Sequence, residues 1–159
     1  GDEERFKASA EEALATETGK CSARFFFFRK LMKTRHGTEF KEPLFPGYVF
    51  LLGDSAEALY ASLKKVWGMT KLIGTGKEIA PLSAEETAHI EGLLDSEAVA
   101  LLSEGYIIDG KTTVTKGPLR DMEGYIRKID RHKRLAWVEL SFLGQPRLIE
   151  MGLEIVGKR

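Results

Sequence analysis

The sequence predicts an α+β fold, in which helices and strands alternate through the first two thirds and short strands fill the last third. Residues 105–156 carry β-branched or aromatic side chains at alternating positions, interrupted by glycine, proline and aspartate at expected turns. The strands predicted there are residues 106–108, 111–115, 124–129, 135–140 and 147–151. Because an open sheet of five short strands leaves unpaired edges, we expect them to close into a small barrel.

Three helices are predicted ahead of that region. Residues 4–14 have apolar side chains at helical spacing, which indicates an amphipathic helix that ends at Gly19. Ser55 is the expected N-cap of a second helix, residues 55–66. A third helix begins at Ser83 and extends to about Leu94, since Ser83 and Glu86 have the spacing of a capping box.

Apolar runs between these helices predict further strands. They are residues 23–33, 48–52 and 69–73. Residues 99–102, in the connection to the last third, are too apolar for a free linker. We expect them to add a strand or to pack against the protein.

Charge is balanced overall but unevenly distributed. The sequence has 24 Lys and Arg against 24 Asp and Glu, so no global field attracts nucleic acid. Residues 20–41 nevertheless contain seven Lys or Arg and one acid, and residues 127–134 contain five cations and Asp130. Such patches suit contact with a nucleic acid that another protein mainly holds, with ordinary solvated cations as the alternative.

No metal, cofactor or membrane signature accompanies these patches. Cys21 is the only cysteine, which excludes a disulfide and a thiolate metal pair within the sequence. His36, His89 and His132 lie far apart, without a carboxylate at metal-ligand spacing. The apolar run 25–28 is too short to span a membrane. We therefore expect a cytoplasmic protein with no cofactor and no bound metal ion.

One stretch of the last third resembles a motif of RNA-associated proteins. Residues 114–126 read VTKGPLRDMEGYI, and Ile129, Asp130 and residues 136–138 follow. Together they are similar to a KOW motif, the barrel module of ribosomal proteins and of the NusG family of transcription factors. Gly117 and Gly124 would serve tight turns or a close backbone approach in that module.

A second stretch resembles the amino-terminal domain of the same family, called NGN. Residues 43–52 read PLFPGYVFLL and contain its run F-P-G-Y-V. Residues 66–74 and 79–83 are similar to the segments that follow in the family. Because both halves occur in the family's order, the chain is identified as a member of the NusG family of transcription elongation and antitermination factors.

The resemblance implies two domains. Residues 1–96 correspond to the NGN domain, an α/β sandwich with an antiparallel sheet flanked by helices. Residues 97–104 correspond to a linker, and residues 105–159 to a five-stranded KOW barrel. The family usually opens with a strand before its first helix. Since the first helix begins at once here, we expect that an upstream strand is missing from the sequence.

The resemblance also implies a non-enzymatic function. In the family, the NGN domain lies across the clamp of bacterial RNA polymerase and contacts the largest subunit through a hydrophobic patch. Binding there favours the elongating state and suppresses pausing and termination. The residues that match positions in or near this patch are Pro46, Tyr48, Phe50, Val66 and Trp67. For any single aromatic residue, burial in the core is the alternative.

Two basic segments are candidates for nucleic-acid contact. Their candidate residues are Arg29, Lys30, Lys33, Arg35, His36, Arg127, Lys128, Arg131, Lys133 and Arg134. The second segment resembles that of specialised NusG paralogues, above all the LoaP antiterminators of Gram-positive bacteria, which a structured leader RNA helps to recruit. The implied partners are RNA polymerase, an RNA hairpin in the nascent transcript, and upstream or non-template DNA. We expect a monomer without a membrane partner.

Other functions stay open. The main alternative is a housekeeping NusG elongation factor that couples polymerase to Rho or, through a ribosomal protein, to the ribosome. A ribosome-bound KOW protein would leave residues 43–52 unexplained. Residues 105–112 match the P-loop pattern G-x-x-x-x-G-K-[ST], but Gly117 and Pro118 exclude the helix that a phosphate loop needs. A nucleotide-hydrolysing enzyme is therefore disfavoured.

Overall fold

The computed structural model describes residues 3–16, 23–53 and 81–158. These residues form two α-helices and ten β-strands, an α+β mix as predicted. None of their helices has the length and apolar character needed to cross a membrane. The chain divides into two compact units, Gly1–Phe27 with Pro46–Pro81 and Phe28–Phe45 with Leu82–Arg159. The predicted helix 55–66 and strand 69–73 lie outside the described residues.

The first unit joins a helix to a two-stranded sheet. Helix α1, Glu3–Thr16, has acidic residues in its first turn, where they complement the positive end of the helix dipole. Strand β1, Ala23–Phe26, pairs antiparallel with β4, Phe50–Gly53. The Gly47 N–H donates a hydrogen bond of 2.9 Å to the Glu3 carboxylate, so the helix start is held to the loop before β4.

The strand predicted for residues 23–33 is wrong as a single element. After β1 ends, strand β2, Arg29–Lys33, pairs antiparallel with β3, Glu39–Pro43, and parallel with β5, Val99–Ala100. The run divides because each half has different partners in a different sheet. The apolar segment 99–102 supplies β5, which confirms the first of its two expected fates, and both residues of β5 are buried.

Helix α2, Ala84–Gly92, confirms the predicted capping box. The Ser83 hydroxyl accepts from the Glu86 N–H at 3.1 Å, and Glu86 Oε2 accepts from the Ser83 N–H at 3.0 Å. Glu86 Oε1 accepts two further bonds, from the Ser141 hydroxyl at 3.0 Å and the Gly144 N–H at 2.8 Å. One buried carboxylate therefore caps the helix and also ties it to residues more than 50 positions away.

The five strands predicted for the last third are present. They are β6, Ser103–Ile108; β7, Lys111–Lys116; β8, Ile126–Asp130; β9, Leu135–Phe142; and β10, Gln145–Lys158. They form one sheet in the order β7-β6-β10-β9-β8. Strand β10 pairs antiparallel with β9 along residues 145–152 and parallel with β6 along residues 153–158. Within the described residues no pairing joins β7 to β8, so the predicted closed barrel is not observed.

A side chain covers part of the β7 edge instead of a neighbouring strand. The 3-10 helix η1, Glu123–Tyr125, precedes β8. The Glu123 carboxylate accepts the Val114 N–H at 2.8 Å, and Val114 lies in β7. Closure was expected because unpaired edge groups are a liability. At this edge position a carboxylate satisfies the backbone donor.

The core of the second unit is built on the sheet. Leu119, Val138 and Leu153 are fully buried, and the rings of Phe45 and Phe142 stack with centroids 5.2 Å apart. Gly117 has a φ of +89°, and a Cβ there would lie 2.6 Å from the Ser103 Cα, which confirms the predicted close approach. Gly124 lies in η1, and a Cβ there would meet open space, so no close approach exists at Gly124.

Candidate nucleic-acid interface

Strand β2 places its cations in two different environments. The Lys30 side chain is only 3% exposed, and its Nζ lies 3.1 Å from a Glu42 oxygen and 3.7 Å from a Glu150 oxygen. The buried ammonium is thus neutralised within the protein, as a buried charge requires. Arg29 and Lys33 lie at alternate positions of the strand from Lys30 and are half-buried. Lys30 is not positioned to reach a phosphate.

Glu154 of β10 joins the two basic segments. Its Oε2 lies 3.0 Å from Lys33 Nζ, and its Oε1 lies 3.1 Å from Arg134 Nε. Arg134 also donates from Nη1 to the Thr34 carbonyl oxygen. The two segments lie about 100 residues apart in the sequence, yet they share this carboxylate.

The β2–β3 turn exposes the remaining basic residues of the first segment. The Thr34 hydroxyl accepts from the Thr38 N–H at 3.1 Å, and the Thr38 carbonyl accepts from the Thr34 N–H at 2.8 Å. Arg35 and His36 are exposed at the tip, where Arg35 Nε donates to His36 Nε2 at 3.3 Å. The turn is closed by its own hydrogen bonds, so the two side chains project from a fixed backbone.

Asp130 organises the β8–β9 turn. Its Oδ1 accepts the Lys133 N–H and the His132 N–H, both at 3.0 Å. The hydrogen bond from the Lys133 N–H, followed by that from the His132 N–H, holds the pKa of Asp130 below its usual range. Arg131, His132 and Lys133 are exposed. Within the described residues, Arg131 and Lys133 have no carboxylate at salt-bridge distance, so both cations face solvent.

A cavity of about 600 Å³ lies beside this turn. Its basic lining comes from Lys128, Arg131, His132 and Arg134. Asp130 and Glu154 contribute carboxylates, and Ile129 and Ile155 contribute apolar surface. The cavity therefore offers several N–H donors to a phosphate-bearing ligand, while its two carboxylates already accept hydrogen bonds from the protein.

The first two cations of the second segment contact side chains of β9. Arg127 Nη2 lies 3.0 Å from a Glu139 oxygen, and its Nη1 donates to the Gly124 carbonyl at 2.8 Å. The hydrogen bond between Arg127 and Glu139 raises the pKa of Arg127 and lowers that of Glu139. Lys128 Nζ lies 4.8 Å from the centre of the Trp137 ring. Both side chains stay exposed enough to meet a ligand.

The candidate polymerase-binding residues belong to the first unit. Pro46 is exposed, and Tyr48 and Phe50 are half-buried. Leu52, in the same strand as Phe50, is 60% exposed. Val66 and Trp67 lie outside the described residues. The described part of the predicted patch thus presents apolar surface to solvent, although neither of its aromatic rings is fully exposed.

The structure also bears on two other kinds of site, a metal site and a phosphate-binding loop. Among residues 3–16, 23–53 and 81–158, no group of His, Cys, Asp and Glu could hold a metal ion. The P-loop match falls on β6 and β7, which pair as an antiparallel hairpin around Asp109 and Gly110. No helix follows this hairpin directly, so the segment has strand geometry and not that of a phosphate loop.

Comparison with known proteins gives one consistent result. The family model described as transcription termination factor nusG matches residues 3–91, more than half of the chain. The transcription termination/antitermination protein NusG of Thermus thermophilus is 26% identical over 175 aligned residues, covering 99% of this chain and 93% of that protein. The proteins with the same description from two Helicobacter pylori strains are 24% identical over 112 residues, covering 68% of this chain and 61% of theirs.

Proposed function

We propose, from the premise that the chain belongs to the NusG family, that it acts as a processive transcription antitermination factor. Members of this family are non-enzymatic transcription termination or antitermination factors that bind RNA polymerase. The family therefore confirms two expectations from the sequence, the lack of enzymatic activity and polymerase as a partner. The proposal adds that the protein suppresses pausing and termination and that a structured leader RNA recruits it.

For the polymerase contact, the proposed residues are Pro46, Tyr48, Phe50, Val66 and Trp67. The exposure of Pro46 and Leu52 supports an apolar surface around β4 that a partner could cover. We propose that this surface binds the clamp of the largest subunit. Binding energy spent on the closed, elongating enzyme lowers the population of paused enzyme.

The observation that carries the RNA proposal is the meeting of the two basic segments at Glu154. We propose that the exposed cations Arg35, Arg131 and Lys133, with His36 and Lys128, contact an RNA hairpin in the nascent transcript. The half-buried or paired residues Arg29, Lys30, Lys33, Arg127 and Arg134 would shape this surface. Upstream or non-template DNA is a further proposed contact of the same cations.

The proposed organisation follows the family. Residues 1–96 would act as the NGN domain, residues 97–104 as the linker and residues 105–159 as the KOW module. The five-stranded sheet and the edge contact of Glu123 support the last assignment. We propose that the protein works as a cytoplasmic monomer, located on the nucleoid through polymerase.

A housekeeping role is the second candidate. The similarity to the Thermus thermophilus protein extends over 99% of this chain, which favours a general NusG arrangement. In that role the protein would couple polymerase to Rho or, through a ribosomal protein, to the ribosome. The exposed turn cations would then be surface charges without a specific RNA partner.

Transcription in vitro through an intrinsic terminator tests the proposal. Purified bacterial polymerase would be given two templates, with and without the leader of the operon beside the gene. We expect the protein to raise read-through only on the template with the leader. Equal effects on both templates would favour the housekeeping role, and no effect of any kind would contradict both.

A further inference from the structure

We infer that Arg134 forms a phosphate-binding subsite for RNA in the cavity beside the β8–β9 turn, and that Glu154 occupies this subsite as an internal competitor in the free protein. The inference rests on the proposed RNA contact and specifies which part of the surface receives a phosphate. It assigns a role to an acidic residue that the sequence did not single out.

Glu154 bridges a lysine and an arginine, as two oxygens of a phosphate can. Its two oxygens receive Lys33 Nζ at 3.0 Å and Arg134 Nε at 3.1 Å. Guanidinium and ammonium groups hold phosphate oxygens at similar distances, so a carboxylate in this position imitates the ligand. The side chain of Glu154 is 18% exposed and that of Arg134 is 23% exposed, so neither is sealed from solvent.

The cavity gives a phosphate access to Arg134. Arg134 and Glu154 both line it, together with Lys128, Arg131 and His132. Arg131 is exposed and faces no carboxylate at salt-bridge distance within the part of the chain described. Lys128 and Arg131 are exposed and Arg134 is half-buried, so the two exposed cations can attract a phosphate into the cavity that Arg134 lines. A volume of about 600 Å³ admits a phosphate with its attached sugars.

The exchange of Glu154 for phosphate leaves no buried charge unpaired. Lys33 binds Oε2 and Arg134 binds Oε1, so Arg134 can be released while Glu154 keeps its bond to Lys33. The Thr34 carbonyl continues to hold the guanidinium through Nη1. The Arg134 backbone is also held, since its carbonyl accepts the Leu153 N–H at 3.0 Å. The cation is preorganised and only its partner changes.

RNA fits this recess better than duplex DNA does. Phosphates of a duplex are held on a stiff cylinder, whereas an unpaired loop can turn one phosphate into a cavity. Phosphate contacts carry little sequence information, so any hairpin with a single-stranded loop is a valid probe.

The test compares Glu154→Gln with Glu139→Gln in the full chain. Each change removes the negative charge of an ion pair. The partner of Glu139 is Arg127, which does not line the cavity. Affinity for a fluorescein-labelled RNA hairpin would be measured by anisotropy over a series of salt concentrations. We expect Glu154→Gln to bind about fivefold more tightly, the scale of a partly exposed ion pair. The slope of log affinity against log salt concentration should steepen by roughly 0.7 to 0.9, which corresponds to one added phosphate contact.

A double variant makes the test specific to Arg134. Adding Arg134→Lys to Glu154→Gln should remove the gain, because lysine lacks the donor fork held by Thr34. Equal gains for Glu154→Gln and Glu139→Gln, or a gain that survives Arg134→Lys, would overturn the inference. A gain confined to a DNA duplex of the same sequence would overturn the RNA assignment.

The remaining outcomes separate the two proposals. If the unchanged protein binds the hairpin and Glu154→Gln matches it in affinity and slope, the competitor role alone fails. If the unchanged protein binds no RNA, the proposed RNA contact fails and the subsite with it. Urea unfolding would accompany each variant, and a Glu154→Gln chain that does not fold would show a structural role for Glu154 and overturn competition.

Discussion

Single carboxylates connect segments of this chain that are distant in the sequence. Glu86 and Glu154 do so, whereas Glu123 and Asp130 accept backbone N–H groups that lie nearer in the sequence. Each accepts N–H donors, and a donor shielded from water is costly when it lacks a partner. The helix-capping bond of Glu86 and the turn bonds of Asp130 follow from local spacing. The partners of Glu86 on β9 and of Glu154 on β2 lie 55 and 121 residues away, so no local pattern marks them.

Glu86→Gln should lower the free energy of unfolding by about 1 to 3 kcal/mol at neutral pH, because the amide cannot accept all the bonds of the carboxylate. Glu85→Gln is the matched control, since Glu85 is exposed in the same turn, and it should change stability by less than about 0.5 kcal/mol. Urea titration followed by circular dichroism measures both. Equal effects would mean that the contacts with Ser141 and Gly144 contribute nothing.

The effect of Glu86 should also depend on pH. Hydrogen bonds from the Gly144 N–H and then the Ser83 N–H lower the pKa of Glu86 from its ordinary value of 4.5. A lowered folded-state pKa contributes stability that is complete above 4.5 and is lost as pH falls through the folded value. The difference between the unchanged protein and Glu86→Gln should therefore shrink on acidification below pH 4.5.

Elements with turn residues between them were predictable, and elements chosen by long-range pairing were not. The strands of the last third could be predicted because glycine, proline and aspartate mark the turns between them. The break between β1 and β2 has no such signal, since Phe27 and Phe28 continue the apolar run. The burial of Lys30 follows from alternation in β2, where Met32 shares its face, but its partner Glu150 could be found only in the fold. Of the predicted basic residues, Arg35, His36, Arg131 and Lys133 are exposed at the turns, whereas Lys30, Lys33, Arg127 and Arg134 pair with carboxylates.

At the level of these turns, Arg131→Ala with Lys133→Ala should weaken binding of the RNA hairpin and flatten its salt dependence. Two lost phosphate contacts correspond to a change in slope of about 1.4 to 1.8. Lys30→Met is the matched control, because Lys30 is buried and its carboxylate partners can be hydrated. Its salt slope should equal that of the unchanged protein. A loss in Lys30→Met as large as in the double variant would contradict this assignment of contacts.

For the whole molecule, the order of two short motifs was enough to identify the family, which the match to residues 3–91 then confirmed. The LoaP specialisation stays a prediction, because it depends on a turn whose proposed RNA contact leaves no mark on the fold. The residues proposed for polymerase binding and those proposed for RNA binding belong to different compact units. The two activities should therefore be separable by substitution.

Tyr48→Ala with Phe50→Ala should reduce polymerase binding at least about tenfold, as expected when aromatic contacts are removed from an interface. The same variant should keep its affinity for the RNA hairpin. Phe40→Ala is the control, since Phe40 is an exposed aromatic residue of the other unit. Interferometry with immobilised polymerase measures all three chains. Retained polymerase binding in the double variant would remove β4 from the proposed contact.

Strand β10 has a consequence for how the protein is made. It is central in the five-stranded sheet, yet it follows the other four strands in the chain. On the ribosome, β6 with β7 and β8 with β9 can pair as hairpins as soon as they emerge, but the sheet that unites them must wait for β10. Until synthesis reaches residues 145–158, the nascent chain therefore carries two hairpins with uncovered apolar faces. For that interval the charged turns, which we propose as a binding surface, are what keeps these hairpins in solution.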